Sequence, residues 1–330
     1  MESIDYEAYE DDYFANCTSA DQNCTTDLSE PLGTNSLIIK IVVKSLLVVL
    51  ALIGSICTIS LLANTTTKYV LSRYVVTRTL AALLSLLTLS FDLVTDYNGS
   101  WIFGYVLCLG KNGLSTIAFP VYSGMQVGMC INTYLEESKS TPNSKLRSTA
   151  FKITSFISWS FALAIGFFIF KSSEVLGMQP SLACVFGVGQ YFFILHDILT
   201  MIMPIIVSWV LLGLAVCHKR TQPAAISLEE PASVSSILQK RSKQLSFAIT
   251  TSFTIFSLVI AVPILMLNFG VEEHIYDYVI KLFSIIHYLV PVHFIIDLAL
   301  YPIFLRDAYK HLKKVGLSVD DPLVVPLRDV

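Results

Sequence analysis

The chain has 330 residues, of which 54% are hydrophobic and only 14% charged, against about 25% charged in an ordinary soluble domain. That balance excludes a single water-soluble core, and a formal net charge of −3, unevenly distributed, gives no basis for nucleic-acid binding. A membrane-crossing helix takes roughly 20 apolar residues at 1.5 Å of rise each, so the length suits about seven crossings with modest loops and little room for a separate catalytic domain.

Residues 1–39 come first and carry nine acids (Glu2, Asp5, Glu7, Glu10, Asp11, Asp12, Asp21, Asp27 and Glu30) with no Lys or Arg, which reads as a flexible anionic arm. Tyr6, Tyr9 and Tyr13 each adjoin an acid, the setting in which secretory-pathway tyrosines are sulfated. With Glu10, Asp11 and Asp12 they form a candidate docking arm that would raise the encounter rate of a basic protein ligand; a solvated tail is the plainer alternative. The arm lacks a basic start followed by an apolar core, so the first span is expected to act as the signal anchor.

Stretches free of Asp, Glu, Lys and Arg mark the spans, because a lone charge at mid-bilayer costs several kcal/mol. Five are clear: Ser45 past Ala63, Asn112 to Leu135, Ile153 to Phe170, Ile198 to His218 and Gln244 to Val271. Thr79 to Phe91 needs its flanks to reach full length, and Leu282 to Tyr301 is interrupted by Asp297. The expectation is an all-α bundle of seven spans, with Pro204 and Pro263 kinking the fifth and sixth. Beyond it, Pro302 to Lys314 mixes apolar and basic residues in the manner of a short amphipathic helix on the inner leaflet. The domain reading is therefore an acidic extracellular tail at 1–39, a membrane domain at 40–302 and an amphipathic helix with a short tail at 303–330.

Loop cations set the orientation. If the acidic arm lies outside, all of the 22 Lys and Arg residues except Lys40, Lys44, Lys111, Lys171 and Lys281 fall on the cytosolic side, Arg73 and Arg78 of the first inner loop among them. Asn16, Asn23 and Asn98 then head outward-facing glycosylation sequons, and Asn64 heads a cytosolic one. Cys17, Cys24, Cys108 and Cys184 meet the oxidising side. A bond between Cys108 and Cys184 would tie a loop over the bundle, leaving Cys17 and Cys24 to pair together or stay unpaired. Glu272, Glu273 and Asp277 form an acidic outer rim, solvated or ligand-binding. Asp92, Asp96 and Asp197 near the outer ends of spans are candidate ligand contacts, as is His287. His293 and Asp297 stand four apart on one helical face, yet spacing assembles no closed three-ligand metal set. No nucleophile elbow or phosphate loop is present. Neither enzyme activity nor a cofactor is expected.

The string WIFGYVLC, with Trp101, Phe103, Gly104 and Cys108, resembles the first outer loop of rhodopsin-like G-protein-coupled receptors, and among them the chemokine receptors. Tyr122, Ser123 and Gly124 are similar to the corresponding stretch of the interleukin-8 receptors, and Trp159, Pro204, Pro263 and the His293 to Tyr301 segment extend the resemblance over all spans. The resemblance implies a plasma-membrane receptor for a basic CXC-type, interleukin-8-like chemokine, coupled to a heterotrimeric G protein of the inhibitory (Gi) type. Asn132, Thr133, Tyr134, Lys243 and Tyr301 stand at the coupling face.

The departures from the family pattern are as informative. Asn132, Thr133 and Tyr134 replace Asp, Arg and Tyr, so the arginine that restrains the resting state is missing and Thr133 is expected to make neither of its contacts. Ile260, Ala261 and Val262 precede Pro263 without the usual Cys and Trp, and Asp297, Leu298 and Tyr301 stand where Asn, Pro and Tyr are expected. Leu84 and Ser85 lie near the position of the second-span aspartate, and Ala118 and Tyr122 replace small polar sodium ligands, which leaves mainly Asp297 for a cation and implies weak sodium sensitivity. Such erosion on a retained exterior resembles a herpesvirus-encoded receptor in a host cell membrane, with elevated ligand-independent signalling. The alternatives are a non-signalling chemokine scavenger and, from another class, a seven-span transporter or zinc hydrolase.

Overall fold

The structure, a computed structural model, describes residues 34–63, 70–138, 144–178, 181–186, 190–221, 234–269 and 290–304. The arm residues Tyr6, Tyr9, Glu10, Asp11, Asp12 and Tyr13, the sequons at Asn16 and Asn23, Cys17 and Cys24, the rim residues Glu272, Glu273 and Asp277, His287, and the amphipathic stretch past residue 304 lie outside the described residues. The chain divides into compact units at residues 1–43 and 44–330. Of the first, the described part is the opening of a helix.

The elements are α1 (Thr34–Ala63), α2 (Val70–Asn98), α3 (Gly104–Ser138), α4 (Ser144–Ser172), a hairpin of β1 (Ser173–Met178) and β2 (Ser181–Phe186), α5 (Gln190–Asp197), a π-helical turn (Ile198–Ile202), α6 (Met203–Thr221) and α7 (Val234–Phe269), then the shorter apolar helix α8 (Val290–Phe304). Counting α5, the π turn and α6 as one continuous rod, six helices among the described residues are long and apolar enough to cross a membrane. With α8 they form a bundle of the seven-span kind, and the chain is a multi-pass membrane protein.

Side-chain placement follows the solvent. Phe156, Ile157 and Phe167 of α4, Val210 and Leu214 of α6, and Ile255 and Leu258 of α7 are exposed, whereas Asn112, Gln126, Thr133, Thr250, His293 and Asp297 are buried. In water this arrangement would be costly; in hydrocarbon it is required, because apolar groups meet lipid freely while polar groups must find partners inside the protein.

The centre of the bundle is α3, the most deeply buried of the crossing helices, which packs chiefly against α4, α2 and α6. Small residues allow this close approach. A Cβ on Gly128 would collide with the Tyr74 ring of α2, one on Gly124 with the Ser158 side chain of α4, and one on Gly166 of α4 with Ile117. Pro120 lies inside α3 and Pro263 inside α7. Pro204 sits at the start of α6 directly after the π turn, which places the loosened backbone turn where the missing N–H falls.

The link between α2 and α3 is pinned by the WIFG string. Gly99 and Gly104 take φ of 67° and 75°, which side chains with a Cβ rarely adopt. Trp101 Nε1 donates to the Gly104 carbonyl at 2.8 Å, and its ring meets those of Phe91 and Phe103 at 6.4 and 5.1 Å. Beyond α4 the chain forms an antiparallel hairpin that the hydropathy pattern did not indicate, with Ser173 opposite Phe186 and Met178 opposite Ser181. A disulfide joins Cys184 of β2 to Cys108 in the first turns of α3, 76 residues away in sequence, and fixes the hairpin to the bundle.

Two assignments of the loop count change. Arg73 and Arg78 belong to no loop, since α2 runs from Val70: Arg73 lies in its first turn, and Arg78 is completely buried. Removing Arg78 from the cytosolic tally leaves the charge asymmetry otherwise intact.

Gly128→Ala is expected to cost about 1–3 kcal/mol of stability by overpacking against Tyr74, read as a lower thermal midpoint in detergent. Gly213→Ala, where the new Cβ meets no neighbouring helix or side chain within 4 Å, is expected not to lower the midpoint.

Candidate functional site

The helix periods that bury the apolar stripes also turn several polar residues inward. On α2, Val75, Ala82 and Leu86 face the core, and Arg78 falls on the same stripe at i+3 from Val75. On α3 the stripe is Tyr122, Gln126, Met129 and Thr133; on α7 it is Ser246, Thr250, Phe253 and Ser257; on α8 it is His293, Asp297 and Tyr301. The four stripes converge on one buried cluster.

At its centre Arg78 Nη2 lies 2.6 Å from Asp297 Oδ2, the two side chains 0% and 3% exposed. Arg78 Nη1 donates to Gln126 Oε1, and the Tyr122 hydroxyl donates to Asp297 Oδ2. The guanidinium carbon stands 4.0 Å from the centre of the Tyr122 ring and 5.8 Å from that of Phe253, within the range of cation–π attraction. Gln126 passes the network on, its Nε2 donating to Thr250 Oγ1 at 2.5 Å. His293 does the same on the other side: Nε2 is 3.1 Å from the Tyr122 hydroxyl and Nδ1 is 3.2 Å from Ser252 Oγ. Four helices share this one network. Arg78 Nε and Asp297 Oδ1 are buried without a hydrogen-bond partner among the described residues.

The sequence reading left Asp297 as a lone carboxylate awaiting a cation. The structure supplies one from the chain itself, and Tyr122, thought of as a lost ligand position, binds that carboxylate directly. Leaving either charge unpaired in such a place costs about 3–5 kcal/mol.

A second cluster ties the other end of α3 to its neighbours. Arg147 of α4 meets Glu136 Oε1 at 2.5 Å and donates to Asn132 Oδ1 at 2.9 Å, while Asn132 Nδ2 donates to Glu136 Oε1 at 3.2 Å. Toward α7, the hydroxyls of Thr133 and Ser246 are 2.7 Å apart, and Lys243 Nζ is 3.4 Å from Glu137 Oε1. Thr133 makes a different contact from either of those the arginine would make, a hydroxyl pair across helices with Ser246. Asn132, Thr133 and Tyr301 are buried, and Tyr134 is half-buried. The proposed coupling residues thus line the inside of the bundle more than its surface.

At the Cys108 end the candidate ligand acids are already paired. Asp96, about half exposed, meets buried Lys44 at 2.6 Å; Asp92 meets Lys111 at 2.6 Å; Asp197 is buried beside His196 Nδ1 at 3.2 Å. Asp197 is thus buried against a neighbouring imidazole, and Asp92 and Asp96 each already hold a lysine. Asn98 is exposed at the end of α2, its side-chain amide donating to the Val94 carbonyl at 2.8 Å. Among the described residues no three His, Cys, Asp or Glu side chains gather as a metal site.

Sequence reasoning missed Gln126, Glu136 and Glu137, and read Arg78 and Arg147 only as cations of the cytosolic side. One signal was available: an acid interrupting a span calls for a cation at similar depth, and Arg78 is a charge at the edge of the shortest uncharged stretch. No protein-family model and no curated protein matches the chain.

Tyr122→Phe keeps the ring over Arg78 and removes the hydroxyl from Asp297 and His293. A stability loss of about 1–3 kcal/mol is expected, measured by thermal unfolding in detergent; an unchanged midpoint would count against the network.

Proposed function

We propose that the chain is a chemokine-binding receptor of the G-protein-coupled kind, placed in the plasma membrane with its acidic arm outside and coupled to a Gi-type G protein. The observation that carries this reading is the Cys108–Cys184 disulfide, which ties the hairpin between α4 and α5 to the first turns of α3 at the last residue of the WIFGYVLC string. A disulfide persists in an oxidising compartment, which supports placing the Cys108 end, and with it the acidic arm, away from the cytosol. The arm's nine acids complement the basic body of a chemokine and raise the encounter rate. The flexible end of the ligand then enters between the helices near Asp92 and Asp96, where its cations compete with Lys44 and Lys111.

Ligand-independent signalling belongs to the same reading. A hydroxyl pair and a 3.4 Å lysine contact restrain α3 against α7 less firmly than a forked arginine pair. A second reading, a scavenger that captures chemokine without signalling, draws support from Thr133 standing where the family carries arginine and from its burial, which leaves the G protein no arginine to meet at that position.

Membranes containing the chain are expected to bind an interleukin-8-type chemokine and to exchange GTP above background, with the ligand altering that rate. Changing Tyr6, Tyr9 and Tyr13 together to Phe is expected to weaken binding roughly tenfold, less so at high salt. Binding without exchange selects the scavenger, and absence of chemokine binding rejects both readings.

A further inference from the structure

Asp297 is 2% exposed inside a bundle whose outer faces are apolar. A carboxylate in such a place is accommodated by taking a proton, by holding a dissociable cation, or by meeting a fixed cation of the chain. The geometry points to the third, and in a specific form: we propose that the centre of the bundle is a guanidinium-binding site and that Arg78 is its tethered ligand.

The shape of the site argues for a planar cation. Asp297 takes one edge of the guanidinium through Nη2, at 2.6 Å. The amide oxygen of Gln126 takes another through Nη1. The face is covered by the Tyr122 ring, 4.0 Å from the guanidinium carbon, and Phe253 stands farther off at 5.8 Å. Oxygens around the rim of a plane with aromatic rings against its face fit a delocalised, weakly hydrated ion. A small hard metal ion instead needs several oxygens converging on a point. Recognition runs through the two terminal nitrogens, since Nε has no hydrogen-bond partner among the described residues, and a free guanidinium ion presents such nitrogens too.

Tethering has a consequence for the bundle. Gln126 bonds Thr250, and Tyr122 bonds His293, which meets Ser252, so the one cation joins α2, α3, α7 and α8. Because it is part of the chain it cannot be diluted away, and the restraint it places on α8 is independent of the salt around the protein. Arg78 is a positioning residue in this account, and the assignment stands whatever the bundle binds outside.

The test is chemical rescue of the full chain in detergent. Arg78→Ala is expected to lower the thermal midpoint by roughly 5–10 °C, and low-millimolar guanidinium chloride to restore most of that loss. Equal sodium chloride should do nothing, and neither salt should raise the wild-type midpoint. Arg78→Ala combined with Asp297→Asn should not respond to guanidinium. Equal rescue by sodium, no rescue by either salt, or rescue of the double variant would overturn the assignment. If Arg78→Ala does not accumulate, the double variant decides: it must accumulate better than the single one, because no uncompensated carboxylate remains, and a double variant that fares no better also overturns the assignment.

Discussion

A lone charge buried in an apolar bundle costs several kcal/mol, and this chain buries two of opposite sign there, Arg78 and Asp297, 219 residues apart in sequence and 2.6 Å apart in space. Neither is tolerable without the other. The pair therefore fixes how α2 and α8 lie against one another, and the residues around it follow: Tyr122 serves as both cover and hydroxyl donor, Gln126 accepts the second guanidinium nitrogen, and His293 fills the space toward α7. A buried pair of this kind is weak evidence of extra stability, since a well-packed apolar replacement can be as stable. What it supplies is a single register for four helices.

The rest of the polar interior obeys the same constraint at lower stakes. Thr79 returns its hydroxyl to the Val75 carbonyl and Thr254 to that of Thr250, which satisfies these groups within their own helices. Where helices meet, polar groups join across the gap instead, as Trp209 does with Thr254 at 2.9 Å. Two tie points beside the central one hold α3: the disulfide at Cys108 and the cluster of Asn132, Glu136, Glu137, Arg147 and Lys243 at the far end. A helix fixed at both ends and in the middle is the axis on which the neighbouring helices are registered.

The membrane class and most of the spans are legible from residue types alone, because long uncharged stretches have one physical explanation. The weak second span was hard to read for a reason now visible: Arg78 and the acids Asp92 and Asp96 sit within it, and each has a partner on another helix that no local window reveals. For the same reason the count of loop cations misplaced Arg78. Asp297 stood out as an oddity, but its function as half of a pair depends on a contact between distant segments. The hairpin of β1 and β2 escaped because a pair of six-residue strands leaves no strong hydropathy signal. The departure at Thr133 was visible as a loss, while its replacement by Ser246 and by the neighbouring pair of Glu137 and Lys243 required the packing of α7 on α3.

The most direct measurement on the central pair is the infrared difference spectrum of the wild-type chain minus Asp297→Asn in lipid at neutral pH. The account predicts that the substitution removes an ionised carboxylate band and no carboxylic-acid band. Loss of a protonated carboxylic-acid band instead would mean that Asp297 is neutral and that Arg78 is not its counter-ion.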